Sequence, residues 1–360
     1  MINHGANLHD LSRKYGFSKE DFMDFSSNIN PFGASQTAKD YIVNNIDMIS
    51  MYPDPDYVNL KNSISKYCHC HPSNIILGSG ATELISSYIK TIAPKRAFLL
   101  SPAYSEYEKE LDSVGADVKK YFSSSLNDFK IDIDDLIEKI NEMRYDIIAI
   151  CNPNNPTGFT FNRYEIEKIL KSTSTPVMID ETYIEFTDRD KYSSSQLVDE
   201  YKNLFVIRGT SKFFSTPGLR LGYGLISNED ISSKMQSDMD LWNVNIIAST
   251  MGEIMFKDTP YIVNNIEKIS SEREHLLSEL SKIDSITAFD TQSNFILCRI
   301  DENLMSAGDL RLKLIPHKII IRDCSTFEGL SEQYFRVCIL KEEENRLLIE
   351  TIQKVLDEHR

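Results

Sequence analysis

Cysteine is scarce in this chain. Six in 360 residues are too few for a disulfide scaffold, and Cys151, Cys298 and Cys338 sit inside apolar strand-like runs, where reduced core thiols are expected. Tryptophan occurs once, and glycine (14) and proline (12) are too few for a fibrous repeat or a disordered polymer. Basic residues are outnumbered, 39 against 54 acidic, and the formal charge of −15 repels nucleic acid and anionic membranes alike. Any anion site must therefore be local. No apolar run approaches the roughly 18 residues of a membrane span. The start, Met1-Ile2-Asn3-His4-Gly5, lacks the apolar core of a secretory signal, so a cytoplasmic protein with neither nucleic-acid nor membrane partner is expected. The metal-like string Cys68-His69-Cys70-His71 alternates where zinc ligand pairs are spaced by two or more residues. It precedes Pro72 at a helix end, so it reads as an exposed turn and no metal is expected.

What is present is an ordinary globular composition, 41% hydrophobic and 26% charged. At roughly 150 residues per domain, the length suggests about two domains. From residue 75, short apolar runs (75–77, 97–100, 147–151, 177–179, 204–207, 221–226) alternate with helical patterns at 81–92, 104–111 and 164–170. That rhythm predicts an α/β fold with a large, mostly parallel sheet covered on both faces. Beyond about residue 228 come a long helix over 261–283, strands near 295–300, 318–321 and 334–340, and a closing amphipathic helix over 342–358. The expected division is a large domain at 46–245, with residues 1–45 as an arm carrying one short helix and 246–360 as a smaller α+β domain.

Several strings carry chemistry. Gly78-Ser79-Gly80-Ala81-Thr82-Glu83 follows a strand and opens a helix, where backbone N–H groups and the helix dipole favour an anion. Asn152-Pro153-Asn154-Asn155-Pro156-Thr157-Gly158 follows the strand at 147–151, at the sheet edge where ligands of open α/β folds collect; a rigid turn is the plainer reading. Asp180-Glu181 ends a buried strand, where a carboxylate is costly unless a cation or a helix cap meets it, and Tyr183 follows. Thr210-Ser211-Lys212, with Arg220 eight residues on, sets an amine nucleophile beside hydroxyls and an anion clamp. Arg336 interrupts an apolar strand and Arg322 ends the one before it. The two either form internal salt bridges or converge on one doubly anionic ligand.

In this order, GSGATE, NPNNPTG, DETY, SK followed by PGLRLGY, and FRV resemble the fold-type-I pyridoxal-5′-phosphate (PLP) enzymes over nearly the whole chain. The resemblance is to the branch containing histidinol-phosphate aminotransferase and threonine-phosphate decarboxylase, and it implies an aspartate-aminotransferase-like fold. It further implies Lys212 as the lysine carrying PLP as a Schiff base, Asp180 against the pyridinium nitrogen, Asn155 and Tyr183 at the ring's phenolic oxygen, and Tyr104 stacked on the ring. Gly80, Ala81, Thr82, Thr210, Ser211 and Arg220 would bind the cofactor phosphate, joined by Tyr52 of a neighbouring subunit, which implies a homodimer. Arg336 would hold the substrate carboxylate. The chain departs from the family at Gly209, where a hydroxyl residue is often found, so phosphate binding would lean on Thr210 and Ser211.

The opening His4-Gly5-Ala6-Asn7, the string Asp24-Phe25-Ser26-Ser27-Asn28-Ile29-Asn30-Pro31 and the loop Arg322 to Leu330 are similar to those of the decarboxylases. They imply His4, Asn28 and Arg322 at a substrate phosphate, and decarboxylation of L-threonine O-3-phosphate in cobalamin assembly. A histidinol-phosphate-type aminotransferase is the alternative. A catalytically silent PLP-fold binding protein is the third reading, and such proteins tend to lose the lysine that is present here.

Overall fold

The computed structural model describes residues 8–359. Its strands in chain order are β1 Met23–Asp24, β2 Ile75–Gly78, β3 Arg96–Ser101, β4 Asp117–Phe122, β5 Ile147–Cys151, β6 Val177–Asp180, β7 Leu204–Gly209, β8 Gly222–Ile226, β9 Ile286–Ala288, β10 Phe295–Ile300, β11 Ile319–Ile320, β12 Arg322–Asp323 and β13 Tyr334–Cys338. Seven of them form one sheet in the order β2-β8-β7-β6-β5-β3-β4, in which β8 alone runs against the rest. This is the large, mostly parallel sheet that the alternating pattern predicts.

Alternate residues of its strands enter two separate apolar cores. Ile148, Ile150, Ile179 and Val206 pack on one side with Phe213, Phe214 and Leu60. Ile147, Ala149, Met178 and Ile207 pack on the other with Leu84, Ile85 and Leu111. A strand of period two whose faces are both covered has no polar side to present, which is why β5, β6 and β7 read as unbroken apolar runs. The outermost strand, β4 (DVKKYF), has no fully buried residue. Its two lysines hide it from a search for apolar runs and protect an exposed edge.

A second, four-stranded antiparallel sheet has the order β12-β13-β10-β9, and the helices Thr259–Leu280, Ala307–Leu314 and Glu342–Asp357 accompany it. The expected single strand over 318–321 is instead divided between two partners. Ile319 and Ile320 pair in parallel with Met23 and Asp24, while Arg322 and Asp323 pair antiparallel with Arg336 and Phe335. The arm is correspondingly richer than expected, with helices at Leu8–Tyr15 and Gln36–Asn44 and the strand β1 between them.

All six cysteines are free and buried. The string at 68–71 is not the wholly exposed turn the sequence suggests: Cys68 and Cys70 point into the core while His69 and His71 face outward. His69 caps the preceding helix with φ 55°, and that left-handed residue turns the chain sharply enough to bury alternate side chains. Among the described residues, no group of three or more His, Cys, Asp or Glu is arranged to hold a metal. No helix among them is long and apolar enough to cross a membrane.

Candidate active site

The carboxyl ends of β2, β3, β5, β6 and β7 open on one edge of the large sheet, so the segments that follow them converge there. They line a cavity of about 300 Å³ whose opposite wall is Arg322 and Arg336 from the second sheet and Phe327 from the loop after β12. Lys212, Asp180, Tyr183, Asn155 and Tyr104 all face this one cavity, as do Ala81, Thr82, Ser211 and Arg220.

Lys212 lies just past β7, in a loop that the arm braces. Its backbone carbonyl accepts from Asn30 N at 3.0 Å, and its Nζ donates to the carbonyl of Ser27 at 2.7 Å. Burial, with a further contribution from Arg336, pushes its amine down to about 8. Asp180 ends β6 and is buried. It accepts from Tyr107 Oη at 2.6 Å, from Thr182 N at 2.8 Å and from Thr182 Oγ1 at 2.5 Å. Burial raises its carboxyl above the usual range, and the donors from Thr182 and Tyr107 work in the opposite direction.

Where Ala81 and Arg220 line the cavity, the backbone behind them is packed at close approach. Gly80 has φ +87° and caps the helix Ala81–Ile92, whose first N–H groups are thereby left pointing outward. A Cβ on Gly222 would lie 2.5 Å from Ala81 N, and one on Gly80 would run into the Arg220 guanidinium. Glycine is required at both. Arg220, itself left-handed at φ 58°, thus reaches the helix start together with Ser211. A helix N-terminus, a hydroxyl and a guanidinium form an anion cradle.

Asn152 and Asn154 tie the proline-rich loop to itself. Asn152 exchanges hydrogen bonds with the backbone of Phe161 at 2.8 and 3.0 Å, and Asn154 Oδ1 accepts from Thr157 Oγ1 at 2.8 Å. Asn155 is left to face the cavity, where its Oδ1 accepts from Arg336. Arg336 also donates to the carbonyl of Ser26 at 2.9 Å, lies 5.0 Å from the Phe295 ring centroid, and keeps its Nε without a partner. Arg322 stands directly opposite Arg336 across the β12–β13 ladder and donates to Thr326 Oγ1 at 3.0 Å. Two buried like charges side by side are unfavourable unless anions meet them. Burial, and after it Arg336, holds Arg322 below the usual guanidinium value.

Not every expected residue stands at the wall. Asn28 is buried behind it, donating to Tyr183 Oη at 3.3 Å, with its own Oδ1 unpartnered. The Thr210 hydroxyl is turned inward, donating to the Leu221 carbonyl at 3.2 Å and accepting from Thr216 Oγ1 at 2.9 Å. Tyr52 is 78% exposed and leans on Trp242 with ring centroids 4.5 Å apart. His4 lies outside the described residues. Conversely, Tyr107, Cys151 and Thr182 line the cavity without having been singled out. The i, i+3 spacing of Tyr107 from Tyr104 at a helix start was the available signal. Beneath the site, Glu181 meets Arg208 at 2.7 Å with both side chains essentially inaccessible. Arg208 is the cation that Glu181 needed, whereas Asp180 is met by the hydroxyls of Tyr107 and Thr182 and the Thr182 N–H.

A family profile described as aminotransferase class I and II matches residues 20–352. A provisionally named threonine-phosphate decarboxylase of Caldanaerobacter subterraneus is 37% identical over 99% of this chain and 94% of its own. A histidinol-phosphate aminotransferase of Methanosphaera stadtmanae is 31% identical over 98% and 95%. The adenosylcobalamin biosynthesis bifunctional protein CobDQ of Leptospira interrogans is 32% identical over 99% of this chain and 41% of its own. Among solved structures, the histidinol-phosphate aminotransferase of Clostridium acetobutylicum superposes with a TM-score of 0.86 at 33% identity, covering 93% of this chain and 99% of that one.

Proposed function

Because the chain belongs to the aminotransferase class I and II family, whose cofactor is pyridoxal 5′-phosphate, we propose that it decarboxylates L-threonine O-3-phosphate. The products are (R)-1-aminopropan-2-yl phosphate and CO2, and the relationship to the adenosylcobalamin biosynthesis protein supports a place in cobalamin assembly. The observation that carries this reading is the pair Arg322 and Arg336, which oppose each other across one ladder and face the cavity of Lys212. The proposed substrate carries both a carboxylate and a phosphate, whereas histidinol phosphate has only the phosphate.

The residues fit the cofactor. The anion cradle of Ala81, Thr82, Ser211 and Arg220 suits its phosphate, Lys212 its aldehyde, and Asp180 its ring nitrogen. When bound, the cofactor supplies a conjugated ring into which the electrons of a broken bond at the substrate Cα are drawn. Lys212, held down to about 8, offers Nζ as a nucleophile near neutral pH and can afterwards deliver a proton to Cα. Asp180, oriented by Tyr107 and Thr182, supplies the negative charge that favours a protonated ring nitrogen. Arg336, fixed by Asn155 and Ser26, binds the carboxylate, and Arg322 the phosphate. Pinning both anionic groups selects the Cα bond that stands perpendicular to the ring, and that bond is the one to break. We further propose a homodimer in which the exposed Tyr52, beside exposed Ile49, Met51 and Trp242, completes the cradle of the neighbouring subunit.

The test is to give purified protein threonine phosphate, which should release CO2 without any 2-oxo acid. Histidinol-phosphate aminotransferase relatives favour transamination as the second reading. Consumption of 2-oxoglutarate with histidinol phosphate, and no CO2 from threonine phosphate, would replace the first reading with the second.

A further inference from the structure

Beside the main cavity lies a second, of about 200 Å³, which shares Tyr104, Arg322 and Phe327 with it and has Thr326, Lys120, Glu108 and Glu328 among its other lining residues. It marks the seam where the loop after β12 meets the edge strand β4. Two contacts close the seam. Lys120, on β4, pairs with Glu108 at 2.5 Å and with Glu328 of the loop. Gly329 adopts φ +91° and is packed so closely on Phe122 that a Cβ there would enter its ring. Between these contacts and the cavity, Thr326 Oγ1 accepts from Arg322 Nη2 at 3.0 Å and the Phe327 ring lies 5.5 Å from the guanidinium.

We infer that Thr326 is a positioning residue that aims Arg322 at the substrate phosphate, and that the Lys120–Glu328 pair latches the loop so that this aim is kept. The inference rests on the reading of Arg322 as the phosphate ligand. Its physical basis is the like charge of Arg336: a guanidinium set beside another turns away unless something holds it. Arg336 is held by Asn155 and Ser26, groups deep in the fold. The hydroxyl of Thr326 belongs to an exposed loop, which is only as fixed as its attachment to β4.

The test is steady-state kinetics of CO2 release from threonine phosphate by the cofactor-loaded protein. Thr326→Val removes the acceptor at nearly constant shape and should raise KM about tenfold with little change in kcat, while Thr326→Ser restores the wild-type KM. Lys120→Met, which leaves the loop sequence intact, should raise KM roughly two- to fivefold, and added salt should erase its difference from wild type. Arg322→Ala separates the two layers of the argument. If it raises KM while Thr326→Val and Lys120→Met do not, the positioning role is wrong and the phosphate ligand stands. If Arg322→Ala also leaves KM unchanged, the reading of Arg322 falls and the inference with it.

Discussion

Tyr107 donates its hydroxyl hydrogen to Asp180 at 2.6 Å, from the first turn of the helix Ser105–Ser113 to the end of β6. The contact favours the charged carboxylate, against burial, which disfavours it. Tyr107→Phe therefore raises the Asp180 pKa further. A carboxylate needed in its charged form is lost as pH falls through its pKa, so the acid limb of kcat/KM moves to higher pH. A hydrogen bond to a charged group is worth roughly 1.5–3 kcal/mol, so activity at neutral pH should fall about tenfold or more. A pH–rate profile checks both.

Lys212 is expected to titrate near 8 because it is buried and faces Arg336. Capture of PLP by protein stripped of it should quicken as pH rises through about 8, since the neutral amine is the nucleophile. Arg336→Gln removes the neighbouring charge and should move that midpoint upward, followed by absorbance after mixing. Lys212→Ala should abolish the lysine-linked absorbance and turnover together.

Arg322 and Arg336 repel one another across the β12–β13 ladder. Replacing Arg322 with Leu removes that repulsion together with the contacts to Thr326 and Phe327, and should raise KM for threonine phosphate roughly tenfold or more. Steady-state kinetics measure the loss, and an unchanged KM would contradict it.

Glu181 and Arg208 form an inaccessible ion pair one residue from Asp180. Glu181→Gln breaks this pair and leaves Arg208 with only the more distant carboxylate of Glu185, at 3.6 Å, and should cost up to about 3–5 kcal/mol, read from the urea midpoint. The effect should be on stability as well as on turnover, in contrast with Tyr107→Phe.

Gly209 faces the cavity, and a Cβ there would find its nearest neighbour, the Ala81 Cβ, at an ordinary 3.5 Å. Gly209→Ser should be tolerated and tighten PLP retention by roughly two- to tenfold, the worth of one added hydrogen bond. Dialysis followed by absorbance would show it.

Much of the large sheet could be read from the sequence because β5, β6 and β7 are covered on both faces, and double coverage leaves an unbroken apolar signature. The edge strand β4 obeys the opposite rule and was invisible for that reason. That Lys212, Asp180 and Asn155 meet at one edge was legible because each lies at or just beyond the end of a parallel strand, while their roles were implied by the resemblance. The inward turn of Thr210 and the retreat of Asn28 behind Tyr183 were not, since both depend on which neighbour takes a hydroxyl or an amide. The pairing of Ile319 and Ile320 with Met23 and Asp24 rests on contacts with residues nearly 300 positions away, which no local pattern encodes.

Ser26 in the arm and Arg336 in β13 are joined across 310 positions of chain. A ribosome releases the first of these long before the second, so this contact of the arm must wait until the last strand is made. The sheet of residues 75–226 can collapse during synthesis, but the pocket cannot be finished until the chain is nearly complete. Premature termination would then yield a compact body with an unfinished mouth, a natural client for chaperones and proteases.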